Sequence, residues 1–294
     1  MEFLASLLIA GVSMGAVYAL IALGLNLTFW TTRTLNFGQG SLMMLCAMIT
    51  ALLTGAGQGP ALSVLAGLAA VGVVAVLTER YAVRIGAQSG GSMGWVVSTL
   101  GVGVLLQGVA AKYFGSQAIA FPDLVFSAQD TVNVGGVPVS LQYLAILGLS
   151  IVLIAGLELL LRRTIWGKCV RAVAMDWEAA AVAGVPVRSV IVCSFLGSGL
   201  LAGVAGLLTA QIGGTVDPAF GIDLMVFAFV AAVLGGMGNS TGALIGGIVV
   251  GLFEKLVGGY LSTSAEHGVV FALLIVVLTV RPQGLLGRRE AVKA

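Results

Sequence analysis

The chain has 294 residues, 59% of them hydrophobic and 9% charged, with a net charge of +2. Soluble domains carry about a quarter charged residues, so these figures exclude a soluble enzyme or binding module and describe a polytopic membrane protein. The small net charge gives no reason to expect a nucleic-acid partner, and its distribution along the chain is the informative quantity.

The chain opens on "MEFLASLLIAG", which has Glu2 where a secretory signal would be basic and runs directly into a long apolar stretch. It reads as a retained first helix. Apolar runs suited to crossing about 30 Å of hydrocarbon fall at 3–29, 37–53, 61–77, 95–113, 141–161, 190–212, 224–234, 243–256 and 269–280. Several are short. The second follows the polar turn "NFGQGS", and "GGMGNSTG" separates the seventh from the eighth. Half-helices or re-entrant segments are expected there. The expected fold is therefore all-α, a single transmembrane domain over residues 1–294 with eight or nine crossings.

Between the fifth and sixth runs lies 162–188, "RRTIWGKCVRAVAMDWEAAAVAGVPVR". Its charges, Arg162, Arg163, Lys168, Arg171, Asp176, Glu178 and Arg188, would each cost a few kcal/mol at the bilayer centre, so the interval lies in water. Inside it one short helix is punctuated at both ends. Asp176 is the N-cap, Glu178 sits at the positive end of the dipole, Ala179 to Ala181 propagate the helix, and Gly184 and Pro186 stop it. A helix of about two turns is marginal in water, so it must dock. A soluble partner is one candidate surface, and the chain's own membrane domain is the other.

With nine crossings and this interval in the cytosol, Arg33, Arg80, Arg84, Arg281, Arg288, Arg289 and Lys293 share its side, leaving Lys112 and Lys255 opposite. Twelve of the 14 basic residues then lie on one face, the bias of the positive-inside rule, with the N-terminus outside and the C-terminus inside. The longest outer connection, 115–138, is too short to be a substrate-capture domain. An offset of 188 sets Gly11 and Gly15 against Gly199 and Gly203, and an offset of 182 sets "GPAL" against "TGAL". The paired segments begin on opposite faces, as in the inverted repeats of transporters.

Catalytic templates fail. His267 is the single histidine and reads as interfacial, "GKC" at 167–169 lacks the spacing of a nucleotide-binding loop, and no Cys, His or carboxylate cluster has metal-site spacing. Neither a metal nor a cofactor is expected, and no enzyme activity. Cys46, Cys169 and Cys193 imply no disulfide framework. Ionisable residues deep in the spans look nearly absent; Glu158 is the best candidate, and an i,i+4 pair with Arg162 accounts for it. Ion coupling is therefore not expected, and energy for uphill movement would come through a partner at 162–188. Uncharged polar residues do enter the spans: Asn26, Asn36, Gln39, Gln107, Gln211 and Asn239. Each can join helices, and as a group they would suit a path for a small polar solute. The Gly-x-x-x-Gly pairs 11/15, 199/203, 242/246 and 247/251 mark close helix contacts.

The segment "TIWGKCVRAVAMDWEAAAVAGVPV" resembles the cytosolic loop of the branched-chain amino acid ABC importer permeases, with Thr164, Gly167, Arg171, Ala172, Asp176, Ala179, Ala180, Gly184 and Val185 in the matching places. "LNFGQGSLMML", "STLGVGVLLQG", "FVAAVLGGMGNSTGALIGG" and "RPQGLLG" agree in order along nearly the whole chain. Cys46 stands where glycine is common, and Gln39 where histidine or glutamine appears.

The resemblance implies a bacterial inner-membrane permease subunit surrounded by lipid. It would pair with a second, homologous permease, be driven by two cytosolic ATP-binding subunits, and be served by a periplasmic substrate-binding protein. The residues for coupling to the ATPase would be Arg171, Asp176, Trp177, Glu178, Ala179, Ala180 and Gly184, with 176–183 as the coupling helix. Those for the path would be Asn26, Asn36, Gln39, Gln107 and Gln211. Branched-chain or other hydrophobic amino acids lead as substrates, with urea, short amides and aromatic acids as family alternatives. A self-contained channel for a small neutral solute is the reading outside the family.

Overall fold

The computed structural model describes residues 2–89, 94–124, 130–134, 137–281 and 283–287. Arg288, Arg289 and Lys293, counted above on one face, lie outside these described residues. Each of the nine apolar runs forms a helix. They are α1 (Glu2–Thr32), α2 (Gln39–Gly55), α3 (Pro60–Leu77), α5 (Gly94–Phe114), α6 (Leu141–Arg163), α9 (Val187–Gly213), α10 (Phe220–Gly235), α11 (Ser240–Tyr260) and α12 (Glu266–Val280). α3 continues through a π-helical turn, Thr78–Val83, into α4 (Arg84–Ser89). Among the described residues seven helices are long and apolar enough to cross a membrane; α2 and α10 are shorter, spanning roughly 24–26 Å at 1.5 Å per residue. Both adjoin a polar turn, as does α11, which is nonetheless long enough to cross. The chain is an all-α polytopic membrane protein. Two small antiparallel ladders, unforeseen in the sequence, also form: β1 (Ile119–Ala120) with β4 (Thr215–Val216), and β2 (Thr131–Val134) with β3 (Val137–Ser140).

α1 is the central column. It is apolar on every side, so no face needs water, and from Gly11 to Thr28 nearly every side chain is buried. α11 runs antiparallel along it, Gly11 facing Leu252 and Gly15 facing Ile248. A β-carbon at Gly15 would stand 2.7 Å from the Ile248 backbone and one at Gly247 would stand 2.6 Å from Ala19, so glycine alone permits this approach. The mirror arrangement recurs with α9 and α3, where Gly199 faces Ala75 and Val71, and Gly203 faces Leu68. α1 and α9 themselves run antiparallel, with Gly24 against Ser198 and Gly197 against Leu27. Finally α2 and α10 touch through Gly40 and Gly221, whose backbones abut. Exchanging α1 with α9, α2 with α10 and α3 with α11 thus maps one set of contacts onto the other. The self-paired glycines differ by 221 − 40 = 181 positions, next to the offset of 182 seen in the sequence.

Around this core, α3, α5, α6 and α12 present apolar residues outward, among them Leu65, Val104, Val152 and Ile275. An apolar periphery of this kind suits contact with hydrocarbon.

Candidate functional site

The interval 162–188 contains two helices where the sequence suggested one. α7 (Ile165–Met175) precedes the expected short helix, α8 (Trp177–Val182). The missed signals were Thr164, which caps α7 by accepting from the Gly167 amide at 3.2 Å, and the stripe Gly167, Val170, Val173 at three-residue spacing, which faces inward. Lys168 and Arg171 drew attention to the wet side of the same helix. Gly167 packs directly on the Leu161 backbone, and Arg171 Nη1 donates to the Leu161 carbonyl, tying α7 to the last turn of α6.

Asp176 ends α7 and starts α8. Its carboxylate accepts from the amides of Glu178 (2.9 Å) and Ala179 (3.0 Å). At the other end the Gly184 amide donates to Ala181 and the Val185 amide to Ala180, both at 3.0 Å. Gly184 holds φ +84°, a left-handed conformation that costs a residue with a side chain roughly 1–2 kcal/mol. One residue docks α8: Ala180, 5% exposed, packs in a cluster with Leu27, Leu161, Val170, Val173 and Val190. Glu178, Ala179 and Ala181 to Ala183 are exposed. So are three large apolar side chains, Met175 at 87%, Trp177 at 61% and Val182 at 91%. Exposed apolar groups gathered on one short capped helix make it the candidate contact surface. Arg33, at the end of α1 with φ +56°, donates to the Ala174 carbonyl at 2.8 Å, so α1, α6 and α9 all hold this platform.

The polar residues of the spans form two groups. The first surrounds the start of α2. After α1 the backbone of Thr34 to Gly38 is buried and non-helical, and it returns along α1 until Gln39 Nε2 donates to the Ile21 carbonyl at 3.2 Å. Ile21 lies 11 residues before the end of α1, about 16 Å at 1.5 Å per residue. Gln39 Oε1 accepts from Ser198 of α9 at 3.4 Å, Asn36 Oδ1 accepts from the Gly38 amide at 3.0 Å, and Gln107 of α5 donates to Ser41 at 3.4 Å. Irregular backbone at membrane depth is tolerated where it is enclosed by protein or lines a pathway. The second group secures the turn between α10 and α11. Asn26 donates to the Asn239 carbonyl (3.3 Å) and accepts from the Gly238 amide (3.0 Å), while Asn239 caps α11 and donates to Leu286. The Asn26 amide thus joins α1 to this turn by one donated and one accepted hydrogen bond. Gln211, half-buried near the end of α9, also has a polar partner.

Two buried ionisable residues, Glu79 and Glu254, were overlooked in the sequence. Glu158 does pair with Arg162, at 2.6 Å and near the surface, but Glu254 of α11 is 4% exposed and ion-paired with Lys255 at 2.7 Å, beside the Tyr18 phenol. The charged dipeptide inside "GLFEKLV" was the available signal. His267 sits at the surface, 3.2 Å from Asp223. Among the described residues no three His, Cys, Asp or Glu converge to hold a metal.

Residues 7–280 match the family described as branched-chain amino acid transport system permease component. The chain is 32% identical to the high-affinity branched-chain amino acid transport system permease protein LivH of Escherichia coli strain K12, over 96% of this chain and 95% of that one. It is 29% identical to the corresponding permease protein BraD of Pseudomonas aeruginosa, over 97% and 96%. It is 33% identical to a probable branched-chain amino acid transport permease protein LivH of Methanocaldococcus jannaschii, over 91% and 88%. An all-α membrane fold, an inverted helical arrangement and a docked, capped surface helix thus coincide with a match along nearly the full length, and the chain belongs to the family of branched-chain amino acid transport system permease components.

Proposed function

We propose that this chain is the permease subunit of an ATP-driven importer of branched-chain or similar hydrophobic amino acids in a bacterial inner membrane. The α7/α8 face lies in the cytosol and the N-terminus outside. Two ATP-binding subunits drive the importer, with α8 seated in a groove of the ATPase, a second homologous permease completes the membrane part, and a periplasmic binding protein delivers substrate to the opposite face. The observation that carries the reading is the exposed surface of α8: Trp177 and Val182, with Met175 beside them, are left uncovered on a helix capped at both ends.

Under this reading the capped helix is the coupling element. Asp176 and Gly184 hold its shape, Glu178 and Ala179 belong to its exposed side, and Ala180 and Arg171 anchor it inward. A rigid element anchored to the ends of α1, α6 and α9 passes a partner's movement to those helices as a body. The path is assigned to the surroundings of Asn36, Gln39 and Gln107, where α2 starts inside the protein and faces α10. Separation of Gly40 from Gly221 is the simplest motion that opens it.

The test is purification of the tagged protein in mild detergent, followed by assay for co-purified ATPase and for its stimulation by a leucine-loaded binding protein. Co-purification of an ATPase and a second permease with stimulated turnover is expected. A lone subunit that conducts solute in liposomes would overturn the reading in favour of a channel.

A further inference from the structure

Beneath α8 lies a cavity of about 770 Å³, bounded by the end of α1, the π-helical turn after α3, α7, α8 and the first turn of α9. Ligand pockets run from roughly 300 to 1,000 Å³. Glu79 lines it from the π-helical turn and is only 8% exposed. Its carboxylate closes no hydrogen bond or ion pair with any described residue, although Arg84, Arg188 and Arg80 act on it electrostatically, the first two from the lining of the same cavity. Those guanidiniums also make no hydrogen bond or ion pair within the described residues. Val83, Val187 and Ile191 supply apolar wall. Glu79 therefore offers the cavity a carboxylate that no described side chain bonds directly, and one-turn π insertions concentrate at functional sites.

An anion alone would face Glu79, and a cation alone would face two guanidiniums. A ligand carrying both charges satisfies all three. We infer that this cavity binds a small α-amino acid zwitterion, its ammonium on Glu79, its carboxylate on Arg84 and Arg188, and an apolar side chain against Val83, Val187 and Ile191. The choice of amino acids rests on the proposed transport function, to which it adds a site distinct from the path around Gln39. Because Asp176, Trp177 and Ala181 form the roof, an occupant braces α8 against α3 and α9. Amino acid accumulating on the α7/α8 side would therefore slow ATP-driven turnover.

The experiment uses the assembled complex in lipid nanodiscs without binding protein, with radiolabelled L-leucine as the probe. Saturable binding is expected, weakened about tenfold or more in Glu79→Gln and Arg188→Gln through loss of a charged hydrogen bond. Neither 4-methylpentanoate nor 3-methylbutylamine, each lacking one charge, should compete. Val187→Trp fills the cavity and removes no charge; it should abolish binding in a complex that still assembles, which separates occlusion from misfolding. In proteoliposomes with the α7/α8 face outward, external leucine should slow wild-type ATPase at least about twofold and leave Glu79→Gln unaffected. Wild-type binding that survives Glu79→Gln and Val187→Trp, or equal competition by the singly charged analogues, overturns the site and leaves the importer reading standing. Glu79-dependent binding in a complex that transports no amino acid would instead sink the importer's substrate and keep the site.

Discussion

α1 and α8 are opposite solutions to holding a helix. α1 has 31 residues and no polar face; its position is decided by glycines that admit α11 on one side and α9 on the other. α8 has six residues, is capped at both ends, and touches the core mainly through Ala180. The first is held by tertiary packing and tolerates no added volume. The second is shaped by local hydrogen bonds and leaves its outer surface free, which suits an element that must be gripped from outside.

Substitutions can break or sharpen that contrast. The largest effect is expected from Gly251→Val, whose β-carbon would collide with the Gly15 backbone. Backbone cannot yield as a side chain can, so a loss of about 3 kcal/mol or more and failure to purify as a monodisperse protein are expected. Ala180→Asp comes next. It places an unpaired carboxylate in the cluster under α8, so α8 should undock; protease cleavage near residue 183 should rise sharply while membrane insertion stays normal. Asp176→Ala removes two cap bonds, worth about 1 kcal/mol locally, and should raise amide exchange across α8 by roughly a factor of five without altering α1. The smallest effect on the fold is expected from Val182→Ser, a change of less than about 0.5 kcal/mol at an exposed site. If α8 is the partner's handle, the same variant should still lose at least about tenfold in ATP-driven uptake. Normal uptake would return Val182 to a bystander's role.

Legibility followed the range of the interactions. The nine apolar runs, the short α2 and α10, and the Asp176 and Gly184 boundaries of α8 could be read because each depends on neighbours within a few residues. α7 could have been read too, since Thr164 and the 167, 170, 173 stripe are local; the charges on its outer side hid it. Glu254 was overlooked because a charged dipeptide near the end of an apolar run looks like a boundary, whereas it lies buried beside α1.

The amino-acid sequence by itself determined that the chain is helical, that it belongs in a membrane, where its nine apolar helices lie, and where α8 starts and stops. Those outcomes rest on the cost of placing charge and unpaired backbone in hydrocarbon, and on caps that act within one turn. Only the tertiary structure decided which sides of the apolar helices face each other, because a helix apolar all round carries no stripe to say so. It also decided that α2 starts deep beside Ile21 and that Glu79 and Arg188, 188 − 79 = 109 positions apart, share one cavity. Such juxtapositions depend on glycine contacts between distant segments, and no local pattern in the chain encodes them.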